Sequence, residues 1–341
     1  MPKRVTVSRD GWARSWINQD PAADYTERRY RELTGRLNIV YQNAADDLFM
    51  KQASWKAAHE KRVEKYQAQV AAGLLTQDDF NAWMQGQLFQ ERAWTLKRGQ
   101  LARAMVDVDK QALALVNDGK LDVFAENANY MGFKIDSDTG AAASFGLYDR
   151  RSVARLIREQ PDLLPMPRID EERDYQWYNR IINNAVTQGI LQGESLDRIV
   201  LRVSEETGEK SLSAMRRNAR TAYTGAQNAG RVEGLRQARD ELGIEVKKRW
   251  MATLDDKTRD AHGQLDGQVV DIDEPFDSLL GPIMYPGVPD AEPANVYNCR
   301  CTLAYVYPKH SAAAISRVDG ESGKDVGAIT YREWKKARAG A

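Results

Sequence analysis

The chain has 341 residues, and its 49 lysines and arginines are matched by 49 aspartates and glutamates. That length supports two or three domains with real cores, while a formal net charge of zero gives no overall attraction to nucleic acid or to a membrane surface. The only two cysteines, Cys299 and Cys301, are too close in sequence for an unstrained disulfide, so disulfides do not hold the protein together and a reducing compartment suits it.

Met1-Pro2-Lys3-Arg4 and the polar residues that follow lack the apolar core of a signal peptide. No apolar run approaches the ~20 residues that a bilayer span needs, so a soluble, cytosolic product is expected where the chain is made. The first third reads as helix. Tyr30, Leu33, Leu37, Val40, Ala44 and Leu48 step by three and four, and Trp55, Val63, Tyr66 and Val70 continue the stripe. A helix from Ala23 to Ala72 would be about 75 Å long, the length of an arm or a coiled coil. Gly73 is the expected stop, and Thr76 starts a second helix with Asp79 at the capping-box distance. Phe80, Trp83, Met84, Leu88, Trp94, Leu101, Met105 and Val108 form its buried side, so residues 1–120 read as a long helical hairpin.

Residues 121–168 read as short helices and a proline-rich linker. Asn117-Asp118-Gly119 predicts a turn, Leu121–Met131 a short helix, Ser137–Gly146 a loop and Arg151–Glu159 a further helix. Pro161, Pro165 and Pro167 then mark a boundary. A helical domain follows over 169–243, with helices expected at Glu171–Leu191, Leu196–Glu206 and Leu212–Leu242 and Gly243 as the last C-cap.

After Gly243 the texture changes to a compact α+β module over 244–310. Strands are expected at Ile244–Ala252, Gln268–Ile272 and Thr302–Tyr307. A turn and short helix fill Thr253–Gly263, and a Pro/Gly/Asp-rich loop runs from Glu274 to Pro293. The tail, 311–341, has a short helix around Tyr331–Trp334. The fold class is therefore mainly α with a small C-terminal α+β module.

Chemistry-bearing residues concentrate in that module: Trp250, Asp255, Thr258, Arg259, His262, Asp266 and Gly267, then Asn298, Cys299, Arg300 and Cys301. Three readings compete. His262, Cys299 and Cys301 are three zinc ligands, with Asp255 or a water as the fourth, although no further Cys or His follows before His310. Alternatively His262 activates one thiol as a nucleophile, helped by Arg259 or Arg300. In the third reading the set is a buried polar lock that needs no cofactor. There Asp255 pairs with Arg259 four residues on, Arg300 forks a carboxylate or loop carbonyls, and His262 and Asn298 satisfy backbone groups. Arginines gather just upstream, where Arg216, Arg217, Arg220, Arg231, Arg236 and Arg239 face only Glu233 between Ser211 and Arg239. Arg216, Arg217, Arg220 and Arg231 are candidates for DNA phosphates or a protein partner, and docking on the acidic stretch Asp255–Glu292 is the competing use.

The run Trp250–His262, Leu265-Asp266-Gly267, Pro293 and Asn298-Cys299-Arg300-Cys301 resembles the Mu F-like family, the minor head or head morphogenesis proteins of tailed bacteriophages. Gln188–Ser195 and Ala219–Arg231 resemble its helical lead-in, so the resemblance spans about Tyr175 to Tyr307. It implies a low-copy, non-enzymatic component of the capsid interior, made in the host cytoplasm, incorporated in the virion and free of membrane. The implied partner is the portal protein, with major capsid or scaffold protein and packaged DNA as further candidates, and roles in head assembly, DNA packaging or ejection. Some family members carry Cys-x-x-Cys where this chain has Arg259–His262, and a histidine shortly before Cys-Arg-Cys where this chain has Asn295–Asn298. That departure favours the polar lock over full zinc ligation. A DNA-binding internal head protein and a metal- or thiol-dependent hydrolase are the alternatives.

Overall fold

Asp20 opens the first helix: its Oδ1 accepts from the Ala23 amide at 2.9 Å, and Pro21 takes the first helical position, where no N–H is needed. The computed structural model describes residues 20–88, 91–139, 147–164, 168–192, 194, 196–308, 317–318, 322 and 324–327. In it this helix, α1, runs Pro21–Ala71. It ends as the sequence implies, with Gly73 at φ 70°. The amides of Gly73 and Leu74 donate back to Val70 and Gln69, both at 2.9 Å, which closes a Schellman turn. The capping box at Thr76 forms, with the Asp79 amide donating to Thr76 Oγ1 at 3.1 Å and the Thr76 amide to Asp79 Oδ2 at 2.9 Å. It starts α2 (Gln77–Leu88), and Tyr66 stacks on Trp83 across the hairpin with ring centroids 4.1 Å apart. The side chains of Trp55 and Trp94, and the expected Tyr331–Trp334 helix, lie outside the described residues.

Two expected breaks do not occur. Helix α3 (Glu91–Thr139) passes straight through Asn117-Asp118-Gly119 and absorbs the short helix expected at Leu121–Met131. The glycine is there for space: a Cβ on Gly119 would lie 1.8 Å from the Tyr223 hydroxyl. Helix α6 (Leu196–Leu242) likewise carries through the expected gap between Glu206 and Leu212. There the Ser211 hydroxyl donates to the Thr207 carbonyl one turn back, at 2.6 Å, and is satisfied within the helix. The remaining helices fall where expected: α4 (Arg150–Glu159), boxed by Asp149 and Ser152, and α5 (Glu171–Leu191). Pro161 opens a single 3₁₀ turn, Pro161–Leu163, whereas Pro165, Pro167 and residues 140–146 lie outside the description.

The chain forms two compact units, each discontinuous in sequence: Met1–Leu33 with Leu115–Pro167 and Arg217–Ala341, and Thr34–Ala114 with Arg168–Arg216. Each therefore combines segments that a division into 1–120, 121–168, 169–243 and 244–310 keeps apart. The second unit buries Leu37, Leu101, Met105, Ile182 and Val203. Among them Tyr41 and Tyr178 both donate to the Asp109 carboxylate, Tyr178 at 2.7 Å. Burial raises the pKa of Asp109.

In the first unit α3 and α6 touch backbone to backbone. A Cβ on Gly230 would meet the Phe124 carbonyl at 2.4 Å, and one on Gly234 would meet the Ala128 carbonyl at 2.7 Å. The module follows α6 in the chain. Strand β1 (Lys247–Met251) is central in an antiparallel sheet of order β2-β1-β3, with β2 at Val269–Asp271 and β3 at Thr302–Val306. The register sets Trp250 opposite Leu303 and Lys247 opposite Asp271. Helices α7 (Asp260–Leu265) and α8 (Pro293–Val296) complete it, and β4 (Arg317–Val318) pairs with β5 (Asp325–Gly327). Helix α8 was not expected from the proline-rich loop. The fold is mainly α with a small C-terminal α+β module, and among the described residues no helix is long and apolar enough to cross a membrane.

Candidate functional site

The motif folds into the edges of β1, α7 and the strand lead-in before β3. Trp250 is fully buried on β1 and packs edge-on against both His262 and Phe276, with centroids 5.2 Å away in each case. Asp266 Oδ1 accepts from the Ala252 amide at 2.8 Å, and Gly267, at φ 81°, donates its amide to the Trp250 carbonyl. These two residues turn the chain from α7 into β2. Asn298 sits at φ 55°, a left-handed conformation that asparagine tolerates, and its amide donates to Thr221 Oγ1 at 2.8 Å.

The polar lock exists with different partners. Asp255 does not pair with Arg259, because residues 255–258 form a turn and α7 begins only at Asp260. Its carboxylate is forked instead by both terminal nitrogens of Arg300, and it accepts from the Lys257 amide at 3.0 Å. Thr258 Oγ1 donates to the Thr253 carbonyl at 2.6 Å, and Arg259 donates to the Tyr297 carbonyl.

His262, Cys299 and Cys301 do come together, and all three are buried. His262 Nδ1 lies 3.5 Å from each sulfur. Its Nε2 is 3.0 Å from Asn295 Oδ1. Asn295 uses its amide nitrogen to donate to the Gly281 carbonyl at 3.1 Å, which makes Oδ1 the acceptor and places the ring proton on Nε2. Burial pushes the Cys299 thiol well up. At Cys301 burial acts the same way but is outweighed by the Cys299 thiol and the His262 ring, which hold it well below its usual value. For His262 burial lowers the pKa, yet the Cys301 sulfur and Asn295 leave it raised.

The sequence reading missed the helix face that grips this cluster. Thr224 Oγ1 donates to the Cys299 carbonyl at 2.7 Å, and Gln227 donates to Thr302 Oγ1 at 2.8 Å. Asn228 accepts from the Leu303 amide at 3.0 Å and donates to the Cys301 carbonyl at 3.3 Å. Arg231 reaches the Leu303 carbonyl at 2.9 Å, Asn127 at 3.0 Å and Asp20 at 2.6 Å. The available signal was a set of polar side chains at helical spacing inside an alanine- and glycine-rich stretch, a pattern that suits neither an apolar core nor a solvated face.

Arg231 is therefore corrected from an outward contact to a buried pin, with both members of its ion pair 1% exposed. Arg220 is buried too, pairing with Glu27 at 2.8 Å and lying 3.4 Å over the Tyr30 ring. Arg216 is half-buried and donates to Asn38, and Arg217 is exposed. The expected docking of the basic helix on the acidic stretch occurs at Asp273, which pairs with Arg236 and Arg239.

The polar face of a long helix thus clamps a Cys-x-Cys strand lead-in, and residues 180–304, which contain both, match the family model for phage Mu protein F like proteins. A minor head protein, GP7 of Bacillus phage SPP1, is 29% identical over 236 residues, 67% of this chain and 73% of that one. Over these stretches the chain is similar to the Mu F-like minor head proteins of bacteriophages. An NAD(+)–arginine ADP-ribosyltransferase, EFV of Enterococcus faecalis, is 38% identical over 158 residues; the match takes in 45% of this chain and 30% of that protein. No solved structure matches.

Proposed function

We propose that the protein is a structural, non-catalytic component of the phage head, held at low copy in the capsid interior by the portal protein, and active in head assembly and in DNA packaging or ejection. The minor head protein that it resembles over 73% of that protein's length supports the head role. The observation that carries the non-catalytic reading is the burial of His262, Cys299 and Cys301: a thiol nucleophile has to be reached by its substrate. Shared sequence with 30% of an ADP-ribosyltransferase supports a common module, and no activity is carried over from it.

Co-expression with the portal protein of the same phage tests the reading. The tagged portal is expected to retain this chain through size exclusion, and purified procapsids are expected to contain it. Absence from portal complexes, procapsids and virions alike would overturn the assignment. The DNA-binding alternative loses two of its four arginines, Arg220 and Arg231, to internal ion pairs. It would regain support if duplex DNA bound in a salt-dependent manner and neutralising Arg216 and Arg217 removed the binding.

A further inference from the structure

We infer that His262, Cys299 and Cys301 form a structural site for a divalent thiophilic cation of the zinc class. The chain has two cysteines and three histidines in all, and the fold brings both cysteines and one histidine into a single buried cluster. The inference does not depend on the portal assignment.

Geometry supplies the first argument. Zinc bonds of about 2.0–2.1 Å to nitrogen and about 2.3 Å to sulfur, at tetrahedral angles, set an N–S edge of about 3.5 Å. His262 Nδ1 stands at 3.5 Å from both sulfurs. One lone pair equidistant from two thiols accepts one thiol proton at a time, whereas a cation binds both sulfurs and the ring together.

Orientation supplies the second. A ligating imidazole usually donates its other N–H to a fixed acceptor, which sets the tautomer. Asn295 plays that part for Nε2, and it is anchored by the Gly281 carbonyl and by the Ser278 hydroxyl, which donates to its Oδ1 at 3.2 Å. Asn295 is itself completely buried.

Charge supplies the third. Two thiolates balance a dication, so the loaded site is neutral in its apolar surroundings, and a monovalent ion would leave a buried net charge. The Asp255 carboxylate is taken by Arg300 and is not a ligand. Three protein ligands leave the fourth position to a neutral water. The ion would tie α7 to the lead-in of β3, and its binding free energy would add to folding.

Full-length protein, reduced and stripped with chelator, is titrated anaerobically with Co²⁺ and then with Zn²⁺. The expected result is one cobalt per chain, with thiolate-to-metal charge-transfer absorption in the near ultraviolet that zinc abolishes by displacement. Elemental analysis of protein purified without chelator should show about one zinc. Asn295→Ala keeps all three ligands and is expected to weaken zinc roughly 10–100-fold. Cobalt bound without charge-transfer absorption, or no bound metal with both thiols reduced, would overturn the site. The wild-type titration stands even where Cys301→Ser fails to fold.

Discussion

Lys248 sits on the central strand with no exposed surface, its Nζ donating to the Met284 carbonyl at 2.8 Å and standing 5.3 Å from the centre of the Phe276 ring. Burial lowers its pKa to about 8. Because the folded value lies below the unfolded one, the unfolded chain binds more protons between about pH 8 and the ordinary lysine range. Stability should therefore rise with pH across that window, by up to about 1.4 kcal/mol per pH unit for each such lysine. Lys120, also lowered to about 8 by burial, adds to the rise. Lys248→Met is expected to remove one of the two contributions, seen as a shallower climb of the urea midpoint from pH 8 to 10; an unchanged climb would show that Lys248 is charged in the fold. At this scale the legible residues were the rare ones. Two cysteines in 341 residues point at their own site. Asn295, Asn228 and Arg231 were not legible, because asparagine and arginine suit many surfaces and the partners that define their roles lie far off in sequence, 33 residues for Asn295 and His262, 75 for Asn228 and Leu303 and 211 for Arg231 and Asp20.

Helix boundaries show what local propensity does and does not encode. The stops at Gly73 and Gly243 were legible, since a left-handed residue after an apolar stripe ends a helix for local reasons. Gly119 was misread because the same residue type also serves close approach, and only the position of Tyr223 distinguishes the two uses. The difference has a measurable consequence. Gly234→Ala would place its Cβ 2.7 Å from both the Ala128 carbonyl and the Met131 Cβ. It is expected to destabilise by about 1–3 kcal/mol, against the ~1 kcal/mol that alanine gains in a helix. Gly35, in α1, has nothing within 4 Å of its Cβ position, and Gly35→Ala is expected to stabilise by about 0.5–1 kcal/mol. Paired urea melts check both signs, and equal effects would remove the close-packing account of the α3–α6 contact. The strands of the module were legible within a few residues, as alternation is a local signal. The sheet order β2-β1-β3 was not, because pairing is settled by contacts distant in sequence.

The whole molecule is divided in a way that no linear reading shows: one unit takes Thr34–Ala114 and Arg168–Arg216, and the other takes the segments before, between and after them. Truncation after Gly243 leaves the first of these complete and removes β1, β2 and β3 from the second. Limited proteolysis of that fragment is expected to spare residues 34–114 and 168–216 while opening 115–139. Simultaneous cleavage of both sets would show that the units fold together. The buried pair between Asp20 and Arg231 then acquires a meaning in time. Asp20 caps α1 and is made well before Arg231, and the Leu303 carbonyl that shares this arginine is made later still. The carboxylate has to stay hydrated until a guanidinium made 211 residues later arrives, so this unit is sealed only after Leu303 has been made.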